Sequence, residues 1–196
     1  MRSSCSSYRP SNACKGVLFV AAPLPFAASE LRVLTALLRA RVRFMVVGLS
    51  AATLQGAPVV TQDVDLWFEH LDDARISRAL QSVGAAYVPP SIQNPPMLAG
   101  VGAELFDIVI HMDGLGTFAR ELRHCFDVKL GRYKLKVLSL ERILASKLAA
   151  NRPKDRLTIP VLRDTLAAAV SLQSPPERPS RRRSGRHKPP ATRRKR

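Results

Sequence analysis

The stretch that decides the fold is VVGLSAATLQGAPVVTQDVDLWF, residues 46–68. Val46 and Val47 close a β-prone run that begins at Phe44 and stops at Gly48. Ser50 to Gln55 reads as a short Ala-rich helix, ended by Gly56 and Pro58. Val64 to Phe68 is a strand that opens with the acidic pair Asp63 and Asp65. In a strand, residues i and i+2 project from one face, so these two carboxylates point the same way. Side by side they repel unless a cation lies between them. Mg²⁺ suits such a place, because it takes oxygen ligands and is commonly shared between a few carboxylates and substrate phosphates.

The segment before the pair adds a second element. A strand–Gly–Ser–helix junction at Gly48 and Ser50 presents backbone N–H groups and a hydroxyl to a phosphate. A third acid, Asp107, interrupts another hydrophobic strand over residues 104–111. A carboxylate inside such a strand needs a partner or a metal. If the strands near 43–47, 64–68 and 104–110 are neighbours in one sheet, the three acids form one site.

Further out, Leu31, Leu34, Leu37 and Leu38 recur at helical spacing behind Ser29, which reads as a cap. Ile76, Leu80 and Val83 mark a helix over 72–83, and residues 89–102 read as a Pro- and Gly-rich loop. Residues 115–122 read as helical. Phe126–Leu130 and Tyr133–Val137 form a hairpin about Gly131-Arg132. Ser139 caps a helix to Ala150, and a last helix runs from Asp155 to Val170, disturbed by Pro160. Trp67 and Phe68 read as core, and His70, His111 and His124 lack ligand spacing. On pattern alone Lys147 is a surface lysine.

The chain has 196 residues, 46% hydrophobic, enough for one packed domain. We expect a leader over 1–28, a domain over 29–172 and a basic, unstructured tail over 173–196. The tail holds ten Lys or Arg residues from Arg178 onward and no acid there, out of a net charge of +16. Such a tail binds RNA or DNA by phosphate neutralisation, or merely solubilises. The leader loosely imitates a secretory signal, but Pro23 and Pro25 weaken it. Cys5, Cys14 and Cys125 show no CxxC spacing, so neither zinc nor a disulfide framework is indicated. No apolar run reaches the ~18 residues of a membrane span. The expected setting is the cytoplasm, with no membrane partner. No G-x-S-x-G elbow or Walker-type loop is present, which removes support for serine-hydrolase and P-loop chemistry.

Residues 46–52, Gly56 and residues 61–66 together resemble the hG[GS]…DxD signature of the DNA polymerase β-like nucleotidyltransferase superfamily. Residues 137–147, followed by Asn151-Arg152-Pro153-Lys154-Asp155, are similar to a C-terminal helix and "K…R-x-K-D" turn of minimal bacterial members that include the AbiEii-like toxins. The resemblance covers roughly residues 30–170. It implies an α/β (α+β) fold, with a small mixed β-sheet flanked by helices in a polymerase β-like nucleotidyltransferase core. It implies Mg²⁺ (or Mn²⁺) bound by Asp63, Asp65 and Asp107, the catalytic acids. It also implies substrate contact at Gly48, Ser50, Lys147, Lys154 and Asp155. Two positions depart from the pattern: Leu49 stands where many members have a second Gly, and Val59 where many have an Arg.

The activity implied is transfer of a nucleoside monophosphate from an NTP to a hydroxyl of RNA, protein or a small molecule. The partners implied are the NTP, tRNA or other nucleic acid through the tail, and a cognate antitoxin or toxin. The alternative is a non-catalytic protein of the same fold that binds nucleic acid or a protein partner.

Overall fold

A computed structural model of the chain describes Val17–Leu18 and residues 24–173. The expected tail, apart from Gln173 at the end of the last helix, lies outside the described residues, as does most of the expected leader. The exceptions in the leader are Val17–Leu18, which form strand β1, and residues 24–28, where Phe26 is already buried in the core. The ordered fold therefore begins upstream of the boundary drawn at residue 28.

Helix α1 (Ala28–Arg39) follows β1. Its cap position is Ala27 rather than Ser29, because Glu30 reaches back and accepts the Ala27 N–H at 2.8 Å. Val33, Leu34 and Leu37 form its buried stripe. Strand β2 (Phe44–Val46) leads into helix α2 (Gly48–Thr53), and strand β3 (Val64–Phe68) follows. Helix α3 (Ala74–Gln81) is capped by the Asp73 carboxylate, which accepts the Arg75 N–H.

Strands β4 (Ala85–Val88) and β5 (Met97–Gly100) pair as a separate antiparallel ribbon. The segment expected to be all loop thus carries a strand at its end. Strand β6 (Phe106–Val109), helix α4 (Phe118–Glu121), and the hairpin β7 (Cys125–Leu130) and β8 (Tyr133–Leu138) come next.

Helix α5 (Leu140–Ala150) and helix α6 (Pro153–Gln173) complete the domain. Pro153 opens α6 at a position where a missing N–H costs nothing, and the helix continues through Pro160. Pro160 removes one intrahelical bond without ending the helix.

The main sheet is mixed, in the order β1-β7-β8-β2-β3-β6. The strand pairs β1–β7, β2–β8 and β3–β6 are parallel, while β7–β8 and β2–β3 are antiparallel. The molecule is a mixed α/β protein with its sheet flanked by helices. Leu34, Leu37, Met45, Leu66, Ile76, Leu80, Leu135, Leu138 and Ile143 are fully buried. Each contributes about 1.5–3 kcal/mol relative to exposure.

Along β3 the period of two sends Val64, Leu66 and Phe68 to one face and Asp65 and Trp67 to the other. Phe68 packs on Phe44 with ring centres 5.8 Å apart. Trp67 meets the edge of Phe118 of α4 at 6.0 Å.

One side chain joins separate elements. The Gln55 amide donates to Leu138 O at 3.0 Å, and its oxygen accepts the Leu140 N–H at 2.7 Å. It ties the end of α2 to the β8–α5 junction. Among the described residues no helix is long and apolar enough to cross a membrane.

Candidate active site

The structure makes β2, β3 and β6 neighbours, and Asp65 stands directly opposite Asp107 in the parallel register of β3 and β6. Register partners on adjacent strands share a face, so both carboxylates project together. Asp63 lies just before β3 and is exposed, as is Asp107; Asp65 is half-buried. The Asp65 carboxyl accepts no hydrogen bond or ion pair among the described residues. Burial, then the neighbouring charge of Asp107 and, more weakly, of Asp63, push its pKa up to about 6. Lys147 and Lys154 oppose that shift, which places both ammonium groups within electrostatic reach of Asp65.

Gly48 completes this corner. It has φ +63°, and a Cβ built on it would overlap the Asp65 carboxylate, lying 2.6 Å from its Cγ. Only glycine lets the β2–α2 turn lie against the acid. A Gly48→Ala variant should therefore lose about 1–3 kcal/mol of stability through backbone strain and displacement of Asp65. Urea unfolding midpoints would check this, and an unchanged midpoint would contradict the contact.

Two residues expected to touch substrate do something else with their side chains. Ser50 is buried: its hydroxyl donates to Val47 O at 3.0 Å and accepts the Asp65 N–H at 3.4 Å. It pins α2 to β3. Asp155 is also buried; Oδ1 accepts from Lys147 Nζ at 2.8 Å and Oδ2 from the Arg152 N–H at 3.3 Å. Burial raises the Asp155 pKa, but the Lys147 bond and charge outweigh it and hold the carboxyl below its ordinary value. Asp155 therefore positions Lys147. Lys147 itself is mostly buried rather than a free surface lysine, and Lys154 is exposed.

The sequence reading missed the lock behind this corner. Glu121 of α4 is fully buried and takes a two-pronged bond from Arg142 of α5, both contacts at 2.7 Å. It also accepts the Gly116 N–H at 2.9 Å. Burial pushes this carboxyl up, yet the Arg142 fork and the Gly116 N–H hold it below its ordinary value. Nothing in the spacing of residues 121 and 142 signals the pair. His111 lies 3.9 Å from Asp113.

As they stand, no three or more His, Cys, Asp or Glu groups among the described residues could hold a metal ion. The in-register pair Asp65/Asp107 still suits Mg²⁺, which commonly binds one or two carboxylates plus substrate phosphates rather than a complete protein cage. An unpartnered acid with raised proton affinity is a donor that a cation would relieve.

Among solved structures, a solution structure of the antibiotic-resistance factor ANT(2'')-Ia superposes with a TM-score of 0.50 at 16% identity, over 74% of this chain and 87% of that one. A crystal structure of ANT(2'')-Ia in complex with adenylyl-2''-tobramycin gives 0.48 at 16% identity, over 72% and 90%. Neither a protein-family model nor a curated protein sequence matches the chain. The architecture is thus a nucleotidyltransferase fold. The likeness concerns fold alone, and stops short of the AbiEii-like group.

Proposed function

We propose that the protein transfers a nucleoside monophosphate from an NTP to a hydroxyl acceptor. The observation that carries this reading is the pair Asp65 and Asp107, in register on parallel strands, with Gly48 against one and Lys147 beside it. Asp65 and Asp107 would hold Mg²⁺ or Mn²⁺ together with the substrate phosphates, Asp63 adding negative charge nearby, and the ion would supply neutralisation of charge on the phosphoryl oxygens. The first N–H groups of α2, beginning at Gly48, have no partner within the helix and would bind the triphosphate. Lys147, held by Asp155, and Lys154 offset phosphate charge.

The acceptor hydroxyl attacks the α-phosphorus in line. An O–P bond forms as the bond to the bridging oxygen breaks, pyrophosphate leaves, and Asp107 takes the hydroxyl proton. Asp155→Asn should loosen Lys147 and raise the KM for NTP about tenfold, with a smaller change in kcat, because the lysine acts on bound phosphate. Steady-state kinetics would check this; an unchanged KM would remove Lys147 from the phosphate site.

The test is incubation of the full chain with each α-labelled NTP, Mg²⁺ or Mn²⁺, and separate acceptor pools of tRNA, protein and small hydroxyl compounds. Metal-dependent label transfer is the expected result. NTP binding without transfer would favour the alternative, a non-catalytic member of the fold that binds nucleic acid or a protein. The buried engagement of Ser50 favours that alternative. A toxin–antitoxin role with a cognate protein partner rests on residues 137–155 alone. Growth arrest on induced expression, dependent on Asp65, would test it.

A further inference from the structure

Helices α1 and α3 pack against one another, and an open groove of about 380 Å³ lies along their contact. Its floor is made of small side chains, Ala36 and Ala40 from α1 and its end, and Ala79 from α3. Its rim is cationic. Arg39 stands on the α1 side, and Arg75 and Arg78 on the α3 side, all three exposed. Positions i and i+3 are neighbours on a helix surface, so the two α3 arginines share this face. Arg39 reaches across to α3, where its Nη2 donates to Ser82 Oγ at 3.4 Å. None of these residues belongs to β3, β6, α2 or α5, the elements that carry the acid corner.

Guanidinium groups that converge repel one another, and Asp73 is set against them at the start of α3. It is spent on Arg75, whose Nε donates to both carboxylate oxygens at 3.0 Å. Arg78 acts on Asp73 through its field and not through a bond. Three guanidinium groups therefore face one carboxylate. Arg39 and Arg78 make no ion pair among the described residues. Their hydrogen bonds there are long, at 3.4 Å each, to Ser82 Oγ and Ala74 O. Most of their N–H donors are thus left for another molecule. The hairpin handles the same problem differently, since Asp127 takes both Lys134 and Lys136. Arg41 adds a further exposed cation just past Ala40. It holds φ +57°, where a helix end usually carries glycine, so the chain accepts strain to have arginine there.

The chemistry of the lining selects the ligand. Guanidinium forks match phosphate oxygens two at a time. No aromatic ring lines the groove to stack a base, and no carboxylate or amide lines it to read a base edge. A free nucleotide would leave its base without a partner, whereas a phosphodiester chain needs only its phosphates held. A peptide would need a pocket for an anchoring side chain, and the alanine floor offers none. We propose that the groove between α1 and α3 binds the phosphate backbone of nucleic acid, without regard to sequence. The site is separate from the acids, and the proposal stands whether or not they transfer nucleotide.

The test is fluorescence anisotropy of short labelled single-stranded RNAs, oligo-U and oligo-A, titrated with the full chain in the absence of NTP and metal. The natural protein should bind the two within about threefold of each other. Arg39→Gln combined with Arg78→Gln should weaken both about tenfold. It should also lower the slope of log affinity against log salt by about 1.4, because each lost single-strand phosphate contact is worth about 0.7. Arg39→Lys combined with Arg78→Lys keeps the charge and loses the forks, so the slope should stay while affinity falls about threefold. Both pairs should fold normally, since the replaced groups are exposed and make no short bond. Arg123→Gln combined with Arg163→Gln removes the same charge from exposed positions off the groove, and should cost less than about twofold.

Unchanged affinity in the Arg39→Gln and Arg78→Gln protein would overturn the proposal, and so would an equal loss in the control pair. A tenfold preference between the two RNAs that vanishes with the groove arginines would overturn it too, by showing that bases are read. Tripolyphosphate that competes as well as RNA, phosphate for phosphate, would give the groove to a small polyanion instead. Displacement of the RNA by an equal concentration of a glutamate-rich peptide would give it to a protein.

Discussion

Replacing Asp65 by Asn is expected to abolish nucleotidyl transfer, by a factor of roughly 10²–10³ or more, while making the protein more stable at neutral pH. Both effects come from one carboxylate. Its folded pKa is about 6, against 3.8 for an ordinary aspartate, so the folded state binds the proton more tightly. Stability is then lost as pH rises through the window from about 4 to 6, and the full penalty stands above it. Burial is the main cause and the Asp107 charge the next. The amide removes the penalty, so the variant should gain roughly 2–3 kcal/mol at pH 7.5, or about 4–10 °C in Tm. At pH 3.5 the two proteins should melt alike. Mg²⁺ should raise the Tm of the natural protein and leave the variant nearly unmoved. A variant that stays folded and retains full transfer would remove Asp65 from catalysis.

The second large effect is on stability alone. Arg142→Met would leave Glu121 fully buried with only the Gly116 N–H to bond it. Breaking one side of a buried pair typically costs about 3–5 kcal/mol, here near 10 °C in Tm. In the natural protein the Glu121 pKa lies below the unfolded value of 4.5, so the pair's contribution is present above that value and fades as pH falls through the folded one. The variant should reverse this slope, since an unpaired buried carboxyl is better tolerated protonated. Combining Arg142→Met with Glu121→Leu should recover most of the loss, because two apolar side chains leave no charge unpaired. Thermal melts across pH 3–8 would check all three proteins. An Arg142→Met protein as stable as its parent would show that the pair does not hold α4 to α5.

The parts of this architecture that were legible in the sequence are those set by local pattern. The run Val64–Phe68, with its acid two residues behind Trp67, has the right length and alternation for a strand, and it is one. The hairpin about Gly131 was equally plain. Met97–Gly100 was not, because Met-Leu-Ala-Gly carries no β-branched residue and follows Pro95 and Pro96; its pairing with Ala85–Val88 is a tertiary effect. The start of α1 was misplaced because a serine suggested a cap, whereas the glutamate at 30 set the end from within the helix. At the site, the acids and Gly48 could be read from spacing. The burial of Ser50 and Asp155 could not, since burial depends on what α5 and α6 bring against them. The parallel register that sets Asp65 opposite Asp107 belongs to chain segments some forty residues apart, and no local signal encodes it.

Gln55 has a consequence for how the molecule opens. Its amide stands in for a peptide group, bonding Leu138 and Leu140 as a neighbouring strand would. The short helix that begins at Gly48 and the helix that carries Lys147 are thereby coupled through one side chain. They should exchange their amide hydrogens as one cooperative unit, with the Leu140 amide as slow as those of the core. Without that side chain the unit would divide. The Leu140 amide would then exchange early, and the glycine turn and the lysine would open to solvent on separate clocks.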